Sequence, residues 1–321
     1  MEQNPILQAR GLSKHFPVRK GFLQRPVGWV HAVDEVSLAV PRGGTLGLVG
    51  ESGCGKSTLA RIVLKLLEPD AGELVYQGRE ISKLPEAAFK PLRKDIQIVF
   101  QDPYGSLNAK MSIASTLEDG LRVLGLPKTQ RRERIGALLE QVGLSPEIRS
   151  RYPHEFSGGQ RQRIGLARAL SVEPKLIICD EPVSALDVSI QAKIINLLLT
   201  LQKQLELSYL FISHDLNVVG FLSHQVAVMY LGQIVEYAPT EQLFAEPRHP
   251  YTQALLAATP RVDAAHSKRQ PLAGDVPSPL QPPAGCRFHT RCPLAGPECR
   301  QGSVSLERKP SGRLIRCLKA G

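Results

Sequence analysis

The stretch that decides the fold is "GESGCGKS", residues Gly50–Ser57, which fits the pattern G-x-x-x-x-G-K-[ST]. The run before it, "TLGLVG" (Thr45–Gly50), is typical of a buried strand, and "KSTLARIVLKLL" (Lys56–Leu67) is typical of an apolar-periodic helix. Glycines let successive backbone N–H groups face one anion, and the helix N-terminus adds its positive dipole end. The stretch therefore predicts a loop that binds nucleotide phosphates.

Two side chains of this loop are expected to carry its chemistry. Lys56 can reach the β- and γ-phosphates of a nucleotide, and the Ser57 hydroxyl can bind Mg²⁺. The residues of the loop and the first helical turn that we expect to contact ATP are Gly50, Ser52, Gly53, Gly55, Lys56, Ser57 and Thr58.

A second apolar run, "LIICDE" (Leu176–Glu181), predicts a buried strand that ends in two carboxylates. Asp180 would lie at the carboxyl edge of the sheet, where open α/β sheets bind ligands, and would hold Mg²⁺ directly or through water. Glu181 would polarise an attacking water as general base. An isolated Asp-Glu pair after a strand is more often a solvated strand end, so this prediction depends on the phosphate loop.

A second anion-binding helix start is indicated by "FSGGQRQR" (Phe156–Arg163). Ser157, Gly158 and Gly159 lie where that helix would begin. One chain does not need two such sites for one γ-phosphate. We therefore expect this helix start to serve a nucleotide that is bound to another subunit.

Together these motifs resemble those of the nucleotide-binding subunit of an ABC transporter, with "FSGGQ" similar to the family's LSGGQ signature. Phe156 takes the place of the leucine, at a position expected to face packing. The resemblance implies roles for Gln101 of "VFQDP" (Mg²⁺, water and the membrane partner), His214 of "ISHD" (γ-phosphate) and Phe16 of "LSKHFPV" (adenine stacking). It also implies that Ser157, Gly158, Gly159, Gln160 and Asp187 of "SALD" act on the partner subunit's nucleotide.

The catalytic residues expected on this basis are Glu181, His214 and Gln101, and the Mg²⁺ ligands are Ser57, Gln101 and Asp180. Alternating strand and helix signals predict a mainly parallel sheet covered by helices, with a helical insertion at about 102–172. The resemblance implies an α/β fold, the P-loop NTPase ABC cassette, with a RecA-like core sheet. We expect the cassette to span residues 1–245 and a small Pro- and Cys-rich extension to span 246–321.

The longer runs "FQDPYGSLN", "RYPHEFSGGQRQRI", "DEPVSALDVS" and "RHPYTQALLAATP" resemble the oligopeptide and dipeptide importers, and are closest to their second (F-type) ATPase subunit. The resemblance implies a motor for di- or oligopeptide import that uses ATP and Mg²⁺. A second, different ATPase subunit would form a heterodimer with it beneath two transmembrane permease subunits, which are fed by a periplasmic peptide-binding protein. The chain would lie peripherally on the cytoplasmic face of the inner membrane. Nickel, glutathione or sugars remain alternative cargoes.

The formal charge of +10 over 321 residues favours an anionic partner, and one rival interpretation is a soluble ABC-type ATPase that acts on nucleic acid or ribosomes. A single cassette without coiled-coil heptads argues against this rival, and a basic surface near an anionic leaflet explains the charge equally well. We therefore expect no nucleic-acid partner. The chain shows no secretory signal and no run of about 20 apolar residues, which favours a cytoplasmic protein that does not span the bilayer by itself.

Four of the six cysteines lie in the last 36 residues, at Cys286, Cys292, Cys299 and Cys317. Their spacing lacks the tight pairs of zinc sites and the ferredoxin run, and disulfide frames suit small secreted domains. The tail also holds eight Lys/Arg, including Arg287, Arg291, Arg300 and Arg316, and two Asp/Glu. The residues leave an iron–sulfur cluster, zinc and unligated thiols open. Resemblance to importer subunits in which such a tail can hold a [4Fe–4S] cluster favours that cluster, with zinc second. For Cys54 and Cys179 we expect packing roles.

Overall fold

The computed structural model describes residues 4–21, 25–259 and 274–320. The chain forms two compact units. The first consists of Met1–Pro41, Thr45–Lys83 and Ile212–Gly321, and the second of Arg42–Gly44 and Leu84–Phe211. The phosphate loop and the Cys-containing tail therefore belong to the first unit, whereas "LIICDE" and "FSGGQ" belong to the second.

The strands, in chain order, are β1 (Leu7–Lys20), β2 (Arg25–Val40), β3 (Thr45–Val49), β4 (Ala71–Tyr76), β5 (Arg79–Glu80), β6 (Ile96–Val99), β7 (Leu176–Asp180), β8 (Ser208–Ser213), β9 (Gln225–Tyr230), β10 (Gln233–Pro239), β11 (Glu307–Arg308) and β12 (Leu314–Ile315). The α-helices are α1 (Lys56–Val63), α2 (Glu86–Phe89), α3 (Pro103–Ser106), α4 (Ile113–Val123), α5 (Lys128–Gln141), α6 (Gly158–Leu170), α7 (Val188–Leu205), α8 (Leu216–Leu222), α9 (Thr240–Ala245) and α10 (Pro250–Ala258). Short 3₁₀ turns connect several of them.

An antiparallel sheet of order β2-β1-β4-β5 occupies part of the first unit. Side chains of β1 at Leu7, Ala9 and Leu12 are buried, and register shifts after Ala9 and Leu12 let this long strand bend. The sequence patterns did not indicate this antiparallel sheet. The irregular register breaks the two-residue alternation of apolar and polar side chains by which a strand is recognised.

The other strands of the first unit run in the order β11-β12-β10-β9-β3. β3 and β9 are parallel, as the alternation of strands and helices predicts, whereas β10 pairs antiparallel with both β9 and β12. β3 is buried throughout its length. A Cβ on Gly47 would lie 2.5 Å from Val219 Cγ1 of α8, so glycine lets that helix approach the strand closely.

An aromatic cluster anchors the C-terminal extension within the first unit. The ring centroid of Tyr251, in α10, lies 4.6 Å from that of Tyr230 in β9 and 5.4 Å from that of Phe288 in the tail. All three side chains are buried, and aromatic pairs at such separations add to the free energy of area burial by about 1 kcal/mol each. Because Tyr230 ends the strand beside β3, the cluster brings the extension to the phosphate-loop end of the sheet.

The second unit contains the parallel pair β6 and β7, with β8 next to β7 and crossing into the first unit at residue 212. Helices α3 to α6 lie between residues 103 and 170, in the stretch predicted to be helical. The hydroxyl of Tyr209 donates to the Leu198 carbonyl of α7 at 3.0 Å, which satisfies a fully buried phenol. In the described part of the chain, no helix combines the length and the apolar character that crossing a membrane requires.

Candidate nucleotide-binding site

Three glycines shape the phosphate loop, residues 50–57. Gly50, Gly53 and Gly55 have φ of 154°, 78° and 111°, a backbone conformation that side chains with a Cβ rarely adopt. A Cβ on Gly50 would lie 2.1 Å from the Met229 carbonyl oxygen, and one on Gly55 would lie 2.0 Å from the Ala32 carbonyl oxygen. The loop thus takes its path because glycine alone fits against the backbone behind it.

Lys56 lies inside the curve of this loop and is 5% exposed. Its ammonium group donates to the carbonyl oxygens of Gly50 at 2.7 Å and Glu51 at 3.0 Å, and it lies 3.7 Å from Cys54 Sγ. Burial raises the pKa of the Cys54 thiol, which therefore stays neutral and adds no negative charge to the loop. A cation thus lies at the centre of the loop.

The outer face of the loop is open. Ser52, Gly53 and Ser57 are exposed, and Ser57 and Thr58 belong to the first turn of α1. In this position the Ser57 hydroxyl and the N–H groups of the helix start can face an anion from solvent.

Glu51 is the residue of the loop that sequence reasoning missed. Its carboxylate accepts two hydrogen bonds from Arg291 of the tail, at 2.8 and 3.1 Å, and its N–H donates to the Tyr251 hydroxyl at 2.9 Å. Glu51 occupies a variable position of the motif, so the pattern carries no signal for it. The two partners lie in segments that the sequence marks only as an extension.

Two predicted ATP contacts of the first unit lie outside the loop. His214 follows directly after β8 and is exposed. Phe16 lies on β1 opposite Val30 and is half-buried, with the Lys14 ammonium 5.9 Å from its ring centroid.

In the second unit the structure brings together two of the predicted catalytic residues. Gln101 Nε2 donates to Glu181 Oε2 at 3.3 Å. Asp180 ends β7, and Glu181 after it has φ of 49°, a left-handed conformation that costs a non-glycine residue about 1 kcal/mol. The Ser184 hydroxyl donates to the Glu181 carbonyl at 3.0 Å, which helps to hold that turn. The turn therefore places two carboxylate residues in succession at the end of β7.

The signature turn, residues 156–160, caps its own helix. Ser157 Oγ accepts from the Gln160 N–H at 3.4 Å, and Gln160 Oε1 accepts from the Ser157 N–H at 3.0 Å, so the two residues form a capping box at the start of α6. Ser157 and Gln160 are exposed, whereas Phe156 is 5% exposed, with the Arg151 guanidinium 4.7 Å from its ring centroid.

Close packing restricts Gly159, whereas a side chain at Gly158 would make only ordinary van der Waals contact. A Cβ on Gly159 would lie 2.4 Å from Ile190 Cγ2 of α7, and one on Gly158 would lie 3.4 Å from Leu186 Cδ2. Asp187 is exposed and precedes α7 without capping it through its side chain.

The three predicted Mg²⁺ ligands are of the chemical type that Mg²⁺ prefers. Ser57 offers a hydroxyl oxygen, Gln101 an amide oxygen and Asp180 a carboxylate, which are the hard oxygen ligands that Mg²⁺ accepts together with water and phosphate.

The prediction of an iron–sulfur cluster in the tail is wrong. Among the described residues, the one set of three or more potential metal ligands whose atoms lie within 4.8 Å of one another is His15, His31 and Asp34, and no three of Cys286, Cys292, Cys299 and Cys317 meet that distance. Four thiolates on one zinc would lie about 4 Å apart, since each Zn–S bond is about 2.3 Å, so the zinc alternative has no support either. The family descriptions and the names of the relatives given below mention neither metal.

The electrostatics of the tail explain why the charge argument failed. Burial raises the pKa of Cys286 to about 11 and also raises the pKa of Cys292, so these thiols are neutral near pH 7. Three of the four arginines expected to balance a negative cluster have other partners: Arg287 donates to Asp34 and the Leu231 carbonyl, Arg291 to Glu51, and Arg316 to the carbonyls of Ile234 and Val304. All four tail cysteines are free.

The His15, His31 and Asp34 set has its own partner in Arg287, whose guanidinium donates to the Asp34 carboxylate. His15 Nε2 lies 3.6 Å from the other carboxylate oxygen. Burial is the largest of the causes that lower the pKa of His31. The Arg287 guanidinium therefore already neutralises the Asp34 carboxylate. We interpret this set as an ion-paired cluster that joins β1, β2 and the tail.

Two family models match the chain. Residues 33–184 match the ABC transporter family, and residues 235–299 match the C-terminal region of oligopeptide/dipeptide transporters. The first match includes the phosphate loop, the signature turn and Glu181, and the second includes Tyr251 and Arg291.

Curated relatives align over nearly the whole chain. A probable peptide ABC transporter ATP-binding protein of Sinorhizobium fredii is 49% identical over 97% of this chain and 89% of its own length. The oligopeptide transport ATP-binding protein AppF of Bacillus subtilis is 48% identical, over 98% of this chain and 97% of its own. The dipeptide transport ATP-binding protein DppF of Haemophilus influenzae is 49% identical, with the same two coverages.

Solved structures share the fold. The cbiO1 protein of Clostridium perfringens, part of an ABC transporter complex, is similar with a TM-score of 0.65 and 28% identity, over 75% of this chain and 91% of its own. An ATP-binding cassette solved as a dimer in a post-hydrolysis state with ADP and phosphate gives a TM-score of 0.64 at 25% identity, over 73% of this chain and 98% of its own. These similarities confirm the predicted α/β ABC cassette fold.

Proposed function

The chain belongs to the ABC transporter family of ATP-hydrolysing subunits, and we propose that its ATPase activity drives the import of di- or oligopeptides across the inner membrane. The observation that carries the peptide cargo is the match of residues 235–299 to the C-terminal region of oligopeptide/dipeptide transporters. The AppF and DppF relatives, which align along the extension as well as the cassette, support the same cargo.

In the proposed site, the phosphate loop holds the triphosphate. The Lys56 ammonium, which now donates to carbonyls of its own loop, is placed to exchange them for phosphate oxygens. The N–H groups at the start of α1 stabilise the same negative charge. Phe16 stacks on the adenine ring, and His214 donates to the γ-phosphate. Ser57, Gln101 and Asp180 would hold Mg²⁺, which would supply positive charge against the phosphate oxygens.

Glu181 acts as general base in this proposal. Its carboxylate accepts a proton from the attacking water, and the Gln101 amide that donates to it at 3.3 Å orients that carboxylate. Most of the rate enhancement comes from positioning and from charge stabilisation by Lys56, because phosphoryl transfer requires little covalent chemistry from the protein.

The signature turn serves a partner. Ser157 and Gln160 are exposed at a helix N-terminus, which supports a role in which residues 157–160 and Asp187 complete the nucleotide site of a second ATPase subunit. We take residues 1–245 as the ATPase cassette and 246–321 as the extension. The pair of ATPase subunits would contact two transmembrane permeases from the cytoplasmic side, as a peripheral complex supplied by a periplasmic peptide-binding protein.

The test is transport in proteoliposomes that contain the permeases and both ATPase subunits. With the binding protein outside and ATP inside, a labelled dipeptide should accumulate, and Lys56→Ala should abolish accumulation. The control is Lys203→Ala, at an exposed position late in α7, which should leave uptake unchanged. ATP hydrolysis without uptake of any tested peptide, but with uptake of nickel or a sugar, would refute the proposed cargo.

A further inference from the structure

Every polar group of Glu51, in the phosphate loop, has a hydrogen-bond partner within the first unit. Its N–H donates to the Tyr251 hydroxyl at 2.9 Å, and its carbonyl accepts from Lys56 at 3.0 Å. Its two carboxylate oxygens accept from the two terminal nitrogens of Arg291 at 2.8 and 3.1 Å. Two of these three partners, Tyr251 and Arg291, lie in the C-terminal extension.

Arg291 is built into the protein rather than resting on its surface. Its side chain is 5% exposed, its guanidinium lies 5.9 Å from the ring centroid of Tyr230, and one nitrogen lies 3.5 Å from the Tyr230 hydroxyl. The hydrogen bond to the Glu51 carboxylate raises the pKa of Arg291 above its usual range. A buried guanidinium that donates to a carboxylate through two parallel bonds fixes direction as well as distance, which a lysine does not do.

The position of Glu51 depends on these bonds more than on close packing. A cavity of about 240 Å³ lies beside it, lined by residues 51–54 of the loop and 276–279 of the extension, together with Tyr230 and Leu231. The loop therefore has room to move on this side. A carboxylate free to swing there would also place a negative charge next to the phosphates that the loop binds.

We infer that Arg291 is a positioning residue for the phosphate loop: it fixes Glu51 and cancels its charge, so that the loop accepts a nucleotide triphosphate. This inference rests on the ATP site proposed above. It gives the C-terminal extension a direct part in nucleotide affinity, through one ion pair between segments 240 residues apart in sequence.

The experiment uses the full chain and a fluorescent ATP analogue. Arg291→Gln should raise the Kd by about tenfold, which corresponds to about 1.4 kcal/mol of lost coupling between the contacting residues. Arg291→Gln combined with Glu51→Gln should recover part of that loss, because the unpaired carboxylate is gone. Arg291→Lys should lie between wild type and Arg291→Gln. Arg300→Gln, at an exposed arginine of the same tail, is the matched control and should leave the Kd unchanged.

A second measurement needs no nucleotide. Amide hydrogen exchange at residues 50–55 should quicken in Arg291→Gln and in Glu51→Gln, which breaks the pair from its more exposed side, and not in Arg300→Gln. Unchanged exchange and unchanged Kd in both pair-breaking variants would overturn the inference. A wild-type chain that binds no nucleotide, while loop exchange still responds to Arg291, would instead overturn the proposed function.

Discussion

The phosphate loop and the signature turn both place glycines and a serine at the start of a helix, yet their surroundings differ. Behind the loop lie the carbonyls of Ala32 and Met229, and its lysine and Glu51 bind partners within the first unit. The signature turn satisfies two of its own N–H groups, those of Ser157 and Gln160, through a capping box, and it exposes both side chains. The comparison shows that the phosphate loop is held by partners within its own unit, whereas the signature turn exposes its serine and glutamine side chains.

The largest effect on ATP turnover is expected at Glu181, the proposed general base, and not at either helix start. Glu181→Gln should lower ATP turnover in the assembled transporter by about 10²–10⁴-fold, because the amide cannot accept the proton of the attacking water. Nucleotide binding should persist, since the variant keeps the shape of the side chain that contacts Gln101. Steady-state hydrolysis and ATP binding, measured on the same preparation, check this. Near-wild-type turnover would remove Glu181 from its proposed role.

The support behind the loop can be tested with two glycines of positive φ. Gly55→Ala should lower the free energy of unfolding by about 3 kcal/mol, because its Cβ would lie 2.0 Å from the Ala32 carbonyl oxygen in addition to the strained backbone. Gly53→Ala has open space around the Cβ and should cost about 1 kcal/mol, from backbone strain alone. Urea unfolding of the two variants gives the difference. Equal losses would show that no close approach constrains Gly55.

The free energy of unfolding should depend on pH through His249, which precedes the helix of the extension that contacts the loop. This buried imidazole accepts the Tyr251 N–H at the start of α10, and burial lowers its pKa to about 4. With an unfolded pKa near 6.5, stability is fully present above pH 6.5 and falls as pH drops toward 4. By pH 5 the loss should be about 2 kcal/mol.

His249→Asn, which keeps an N-cap acceptor, is the reference for that loss. The free energies of unfolding of the wild type and the variant at pH 7 and pH 5 isolate the contribution of His249, because all other titratable groups are present in both proteins. The wild type should lose about 2 kcal/mol more than the variant over this interval. Identical losses would mean that His249 accepts a proton in the folded state as easily as in the unfolded chain.

Sequence predicted what local patterns encode. The strand, loop and helix around residues 45–63 and the strand that ends at Asp180 follow from apolar periodicity and glycine placement. The antiparallel sheet of β1, β2 and β4 was missed because it depends on pairing between strands with irregular register. The ion pair between Arg291 and Glu51 was missed for a similar reason, since the two residues are remote in sequence. The tail cysteines were misassigned because spacing, local charge and the family resemblance showed neither how far apart the thiols lie nor which groups the arginines bind.

The comparison of the two helix starts is tested most directly by ATP hydrolysis in the isolated chain, kept monomeric, and in the assembled complex. We expect the isolated chain to bind ATP but to turn it over about a hundredfold more slowly than the complex, because stabilising donors from a partner's signature turn are absent. Ser157→Arg should slow the complex while leaving nucleotide binding at its own phosphate loop intact. An isolated monomer that hydrolyses ATP as fast as the full complex would contradict the shared site.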